Sequence, residues 1–112
     1  MKRIDAVIRQ KNLDEVRERL VNIGVEGLTM TGVLGFGRQK GRTEVYRGCE
    51  YHVDFHPKLL LTIVAPDDQV EEIVQAISAG ARTGQIGDGK IFVTSVDEVV
   101  RIRTGEIDRA AV

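Results

Sequence analysis

The chain has little of what several protein classes need. Among 112 residues there is one cysteine, there is no tryptophan, and aromatic residues make up only 4%. One cysteine cannot form an intrachain disulfide, which is typical of a reducing compartment. The scarcity of aromatics argues against surfaces on which nucleic-acid bases stack. No apolar run is long enough to span a membrane, and the first residues, MKRIDAVIRQK, lack the apolar core of a signal peptide.

Excess charge of either sign is also missing. Lysine and arginine total 16, aspartate and glutamate total 17, and the formal net charge is −1. Such a balance produces no field that would hold nucleic acid or an anionic membrane surface. We therefore expect a single cytoplasmic domain over residues 1–112, with no nucleic-acid partner and no direct membrane insertion.

Hydrophobic periodicity predicts four strands and two helices. Strands are expected at residues 3–9, 28–34, 58–65 and 90–96, which are rich in apolar and β-branched residues. Asn12 and Glu15 have capping-box spacing at the start of the first helix, and Gly24 is placed to stop it. Pro66 and two aspartates open the second helix. The apolar helix faces comprise Leu13, Val16, Leu20, Ile23 and then Val70, Ile73, Val74, Ile77.

The order of these elements predicts the fold. Strand, helix and strand occur twice, which indicates an α+β, ferredoxin-like βαββαβ sandwich with a four-stranded antiparallel sheet and both helices on one face. The other face of the sheet is partly apolar, so we expect it to be buried against copies of the same chain. The polar connection between the two halves is predicted to be a long exposed loop at about residues 37–56, with a functional role.

A glycine-rich segment at about residues 82–90 has the pattern GxxGxGK, within ARTGQIGDGKIFV. Successive glycine amides and a lysine form an anion-binding nest suited to a di- or triphosphate. It is not a Walker A loop, because GxxxxGK[ST] is missing and a strand follows. Arg101 and Arg103, in the C-terminal segment at about 101–112, could add charge. The alternative is a simple glycine turn with surface arginines, and on spacing alone this alternative is favoured.

Five segments together favour the anion-binding nest over the simple glycine turn. They are GFGRQKG (35–41), YRGCEY (46–51), VDFHPK (53–58), ARTGQIGDGKIFV (81–93) and VRIRTGE (100–106). In this order and at these separations the chain resembles the PII nitrogen-regulatory signal-transduction proteins from Met1 to about Glu106. The resemblance implies a non-enzymatic homotrimer that binds ATP or ADP competitively in three clefts between subunits. With MgATP such proteins also bind 2-oxoglutarate, and a mobile loop engages ammonium transporters, nitrogen-assimilation enzymes or transcription regulators.

The resemblance also assigns ligand contacts by position. The implied phosphate contacts are Gly87, Asp88, Gly89, Lys90, Arg101 and Arg103. The further nucleotide contacts, placed in the adjacent subunit, are Thr29, Gly37, Arg38 and Val64. Gln39, also beside the nucleotide, would give its amide oxygen to Mg²⁺, a hard cation that takes oxygen ligands. Lys58 would pair with one carboxylate of 2-oxoglutarate. The backbone amides from Gly37 to Gly41, including that of Lys40, would hold the other carboxylate end.

The same resemblance concerns modification of YRGCEY. Tyr51 corresponds to a tyrosine that accepts a nucleotidyl group in some family members. Cys49 stands where the family has alanine or a serine that is phosphorylated, so the serine hydroxyl is absent and the resemblance does not carry the phosphorylation route over. The thiol could instead be a redox handle, favoured by Arg47 and opposed by Glu50. The favoured interpretation is a tolerated substitution by a residue of similar size.

Other functions remain as alternatives. Cys49, His52 and His56 have a spacing that zinc can use, although a polar loop that happens to contain two histidines explains the same pattern. Three other classes of protein are disfavoured. A small enzyme would need a catalytic constellation near the glycines, and an RNA-binding module would need aromatic residues on its strands. A metal chaperone would need a CxxC pair, and the chain shows none of these features. The main alternative is a nucleotide-binding or redox- or metal-responsive PII-like regulator of another pathway that is not gated by 2-oxoglutarate.

Overall fold

A computed structural model describes residues 1–36, 42–46, 49–53 and 55–112, with side chains described for 1–36 and 55–112. Its strands and α-helices are β1 (Lys2–Ile8), α1 (Leu13–Asn22), β2 (Thr29–Phe36), β3 (Arg42–Tyr46), β4 (Cys49–Val53), β5 (Phe55–Ala65), α2 (Val70–Ala81) and β6 (Lys90–Ser95). Four of these strands form one antiparallel sheet in the order β2-β5-β1-β6. This topology confirms the predicted ferredoxin-like fold.

The hydrophobic core lies between one face of this sheet and the two helices. Alternate residues of the central strands point into it, because successive strand side chains face opposite sides of a sheet. The two helices pack on each other where Gly80 meets Val16: a Cβ at Gly80 would lie 2.9 Å from Val16 Cγ2. The buried core consists of Ile4, Ala6, Ile8, Val16, Leu20, Leu59, Leu61, Ile63, Ala65, Ile73, Ile77 and Ala81.

The end of α1 agrees with the sequence prediction. Gly24 has φ +91°, a conformation that favours glycine. Its amide donates to the Val21 carbonyl at 3.0 Å, and the Val25 amide donates to the Leu20 carbonyl at 3.0 Å. This pair of hydrogen bonds is a Schellman motif, which satisfies carbonyls that the helix leaves open.

The start of α1 differs from the prediction, because no capping box forms. A 3₁₀ turn at Gln10–Asn12 leads into the helix, and the Asn12 side chain makes no capping hydrogen bond. Asn12 has ψ near 0° instead of the extended backbone that capping needs. Its side-chain amide donates to the Ala81 carbonyl at 3.2 Å, and Glu15 pairs with Arg19 at 2.8 Å. Asn12 therefore links the start of α1 to the end of α2.

The connection between the halves is less irregular than predicted. The main sheet extends to the pair Phe36 and Phe55, whose ring centroids are 5.5 Å apart. Beyond this pair, β3 and β4 form a separate two-stranded antiparallel sheet. The expectation of one long loop over 37–56 was wrong in this respect. The signal was present in the sequence, since RTEVY and CEYHV are rich in β-branched and aromatic residues and are separated by only two positions.

In the described part of the chain, neither α-helix packs on the other face of the main sheet. Polar contacts cross it: the Thr62 hydroxyl donates to Asp5 Oδ1 at 2.7 Å, and Arg3 Nε donates to Asp5 Oδ2 at 3.0 Å. Phe92, at the register position opposite Asp5, remains 52% exposed in the single chain. The predicted burial of this face against other copies stays a prediction. Among the described residues, neither helix has the length and apolar character needed to cross a bilayer.

Candidate functional site

The glycine-rich loop joins the end of α2 to the start of β6. Three of its glycines have positive φ: +85° at Gly84, +101° at Gly87 and +113° at Gly89. Such values are strained for residues with a side chain. Gly89 is constrained by space as well, since a Cβ there would lie 1.8 Å from the Val7 carbonyl oxygen. The loop therefore packs directly against the backbone of β1 and requires glycine there.

A carboxylate organises this loop from within. Asp88 Oδ2 accepts the Thr83 amide at 2.7 Å and the Gly84 amide at 2.8 Å, and Asp88 Oδ1 accepts the Thr83 hydroxyl. These hydrogen bonds, chiefly those from Thr83, lower the pKa of the Asp88 carboxyl to about 2. The Asp88 side chain thus occupies the amides of Thr83 and Gly84, which are not available to an anion in this arrangement.

Two cations approach the loop from the sheet. Lys58 Nζ donates to the Gly87 carbonyl at 2.8 Å, and Arg9 Nε donates to the same oxygen at 3.1 Å. Lys58 is only 6% exposed. Burial and, secondly, the charge of Arg9 lower the pKa of the Lys58 ammonium, while Asp88 opposes this shift. Among the described residues no carboxylate lies in ion-pair range of Lys58, and Asp88 pairs with Arg9 instead, at 3.9 Å.

The strand registers place the predicted nucleotide contacts at two ends of the sheet. Lys90 pairs with Val7 near the end of β1, whereas Val64 pairs with Arg3 near its start. These two positions of β1 are four residues apart, which corresponds to about 13 Å along a strand. Thr29, at the start of β2, lies at the Val64 end. We call the two ends the glycine-loop end and the opposite end.

A cleft of about 730 Å³ lies at the opposite end of the sheet. Thr29, Val64 and Arg101 all line it. The C-terminal segment reaches this place by a turn in which the Arg101 amide donates to the Glu106 carbonyl at 2.8 Å and the Gly105 amide donates back to the Arg101 carbonyl at 2.8 Å. Within one chain, Arg101 therefore lies with Thr29 and Val64 and apart from the glycine loop, a different grouping from the one expected. Arg103 is exposed.

The remaining predicted contacts cannot be placed in full. Gly37, Arg38, Gln39, Lys40 and Gly41 lie outside the described residues. The chain enters that segment from Phe36, at the glycine-loop end, where β2 and β5 pair Gly35 with His56. Lys58 lies two residues further along β5.

The candidate modification and zinc residues are placed only in part. Cys49, Tyr51 and His52 lie on β4, with side chains outside the described part of the chain. His56 is described, and its buried Nε2 has no hydrogen-bond partner among the described residues. In the side chains that the structure describes, no three histidine, cysteine, aspartate or glutamate residues are grouped as a metal site would need. The zinc hypothesis therefore gains no support from the described residues and stays untested.

Comparison with known proteins decides the family. The family model for "Nitrogen regulatory protein P-II" matches residues 1–106. The chain belongs to the nitrogen regulatory protein P-II family. It is 59% identical over 112 residues to nitrogen regulatory protein P-II 1 of Escherichia coli (strain K12), with all of both chains covered. It is 55% identical over 112 residues to the P-II protein of Pasteurella multocida (strain Pm70), again with full coverage of both, and 59% identical over 111 residues to that of Rhizobium etli, with 99% of each chain covered.

Membership of the P-II family confirms the resemblance found in the sequence. The match extends across both halves of the fold and the connection between them, so it does not depend on the glycine motif alone. The relatives are named as regulatory proteins, which agrees with the expectation of a regulator. One residue of the P-II glycine-loop site was not predicted: Arg9, which the sequence pattern placed merely as the last residue of a strand.

Proposed function

We propose that this P-II family member is a non-enzymatic sensor of nitrogen, carbon and energy status. It binds ATP or ADP and, in the presence of MgATP, 2-oxoglutarate. Its ligand state controls partner proteins through the segment at about residues 37–56. The partners are an ammonium transporter, a nitrogen-assimilation enzyme or a regulator, and the protein acts in the cytoplasm.

One observation carries the nucleotide proposal: the predicted contacts separate into two groups at opposite ends of the sheet. The glycine loop and Lys90 form one group, and Thr29, Val64 and Arg101 form the other. In a single chain these groups line two different clefts, about 13 Å apart along β1, and do not form one continuous site. Two chains that bring opposite ends together would complete the site, and a closed ring of such heterologous contacts gives a homo-oligomer. A homotrimer with three nucleotide clefts satisfies this requirement.

The 2-oxoglutarate proposal rests on Lys58. Lys58 is buried and its ammonium donates to a neutral carbonyl. A carboxylate arriving beside it would gain a charge-assisted hydrogen bond, and only the carboxylate would still have to lose its water, because the lysine is already desolvated. Lys58 alone is a weak site for a small dicarboxylate. Gln39, outside the described residues, would hold the metal that the nucleotide and the keto acid share. Binding is then ordered, because most of the 2-oxoglutarate site exists only with MgATP bound.

Calorimetry of 2-oxoglutarate binding tests this order directly. Wild-type protein is titrated with 2-oxoglutarate alone, with MgATP present, and with ATP plus a chelator. We expect heat of binding only with MgATP, and we expect Lys58→Met to abolish it while leaving ATP binding intact. Tight binding without nucleotide would overturn the shared-metal site. ATP binding with no response to 2-oxoglutarate would favour a P-II regulator of a different pathway.

A further inference from the structure

The guanidinium of Arg9 lies on the glycine loop and contacts two successive carbonyls. We infer that Arg9 is a positioning residue for the phosphate site: it turns the Ile86 and Gly87 carbonyls inwards, so that the amides of Gly87 and Asp88 face the ligand. Arg9 acts through the loop and not by touching the nucleotide. The inference rests on the proposed nucleotide binding at this loop.

The contacts of Arg9 have the geometry of a fork. Arg9 follows the last residue of β1, and its side chain is only 17% exposed. Its Nη2 donates to the Ile86 carbonyl at 2.5 Å, and its Nε donates to the Gly87 carbonyl at 3.1 Å. A planar guanidinium presents fixed, parallel donors and can therefore hold two acceptors in a defined orientation. Gly87, with φ +101°, is the residue between the two peptide units and adopts a conformation that glycine permits.

Peptide planarity converts these carbonyl contacts into an amide arrangement. In a trans peptide unit the C=O and the following N–H point in opposite directions, and all described peptides are trans. The Ile86 carbonyl shares its unit with the Gly87 amide, and the Gly87 carbonyl shares its unit with the Asp88 amide. Since both carbonyls point towards Arg9, both amides point away from it. Successive amides that face one side form an anion-binding nest.

Among the described residues, the other loop contacts use different amides from these two. The Asp88 carboxylate binds the amides of Thr83 and Gly84, which lie earlier in the loop. Lys58 also donates to the Gly87 carbonyl, but as one ammonium it orients a single peptide unit. If Lys58 turns to the carboxylate of 2-oxoglutarate, Arg9 remains to hold the Gly87 carbonyl. Arg9 would thus keep the phosphate site in place when the second ligand binds.

The test compares three variants for ATP affinity, by calorimetry, and for apo-state amide chemical shifts. Arg9→Gln removes the charge and the fork. Arg9→Lys keeps the charge but supplies a single point donor. Arg19→Gln is the matched control, since Arg19 forms an exposed pair with Glu15 on α1, and among the described residues this is its one side-chain contact of this kind. We expect Arg9→Gln to weaken ATP binding about 10-fold or more, the scale of lost charge-assisted hydrogen bonds. Arg9→Lys should be intermediate, and Arg19→Gln should bind as wild type.

The amide resonances distinguish positioning from a general structural role. In apo Arg9→Gln, the ¹⁵N–¹H signals of Gly87 and Asp88 should move, while those of the core strands stay in place. Unchanged loop signals, or wild-type affinity in Arg9→Gln, would overturn the inference. So would full recovery by Arg9→Lys, because charge alone would then suffice. If Arg9→Gln does not fold, Arg9→Lys decides by the same two measurements. Wild-type protein that fails to bind ATP would overturn the proposed function itself.

Discussion

The replacement of Gly89 by alanine should destabilise the protein more than the same replacement of Gly84 in the glycine loop. A Cβ at this position would lie 1.8 Å from the Val7 carbonyl oxygen and 2.9 Å from its carbon, both rigid backbone atoms. The φ of +113° is also one that alanine rarely adopts. The conformation costs about 1–3 kcal/mol, and the backbone shift that relieves the overlap costs about 1–3 kcal/mol more. We therefore expect a loss of about 4 kcal/mol, a large part of the ~5–15 kcal/mol that typically stabilises a domain.

The matched control is Gly84→Ala in the same loop. Gly84 also has positive φ, at +85°, but a Cβ there meets nothing within 4 Å. Gly84→Ala should therefore lose only the conformational term, about 1–2 kcal/mol. Urea denaturation of both variants at one protein concentration measures the difference, since assembly makes apparent stability concentration-dependent. Equal losses in the two variants would show that the close approach to β1 does not exist in solution.

Three further predictions concern ligands and titration. The substitutions Lys90→Ala, Arg101→Ala and Arg103→Ala should each weaken ATP binding by about 1.5–3 kcal/mol. Mixed oligomers of the Lys90 and Arg101 variants should regain tight sites where the intact half of one chain meets the intact half of another. No recovery on mixing would show that one chain supplies both residues to a site. The Asp88 carboxyl, followed by its ¹³C chemical shift, should titrate near pH 2. Its contribution to stability is then complete above about pH 4 and is lost as the pH falls through 2. A midpoint near pH 4 would refute the hydrogen bonds from the Thr83 and Gly84 amides. Cys49 should react readily with a thiol reagent in the apo protein and more slowly with MgATP and 2-oxoglutarate bound, and equal rates in both states would exclude ligand coupling of this segment.

Much of the fold could be predicted from the sequence because its signals are local. Residues with periods of about two and 3.6 revealed the strands and helices, and their order led to the ferredoxin-like topology. Gly24 ended α1 as expected, because a C-terminal cap depends on a few consecutive residues. The chemical character of the glycine loop was likewise readable, since positive φ at Gly84, Gly87 and Gly89 requires the residue type that the sequence shows.

Local patterns led to a wrong prediction in two places, for two different reasons. Asn12 has the sequence of a helix cap, yet its side chain bonds the end of the other helix instead. That partner is 69 residues away in the chain and invisible to any short window. The hairpin of β3 and β4 was overlooked for a different reason: the polar composition of that segment outweighed its β-branched and aromatic residues.

The sequence by itself determined which elements of the main sheet and its helices form and which residue types each turn needs. Its motifs also indicated the protein family. The tertiary structure alone decided which residues meet. The packing of the glycine loop against the sheet brought Arg9 and Lys58 to the Gly87 carbonyl. The turn of the C-terminal segment put Arg101 with Thr29 and Val64 at the far end of the sheet. The physical reason is that periodicity depends on neighbours in the chain, whereas register and burial depend on contacts that close over many residues. The residues next to Arg9 in the sequence give no signal that its side chain will bind the Ile86 and Gly87 carbonyls, which lie 77 and 78 residues away.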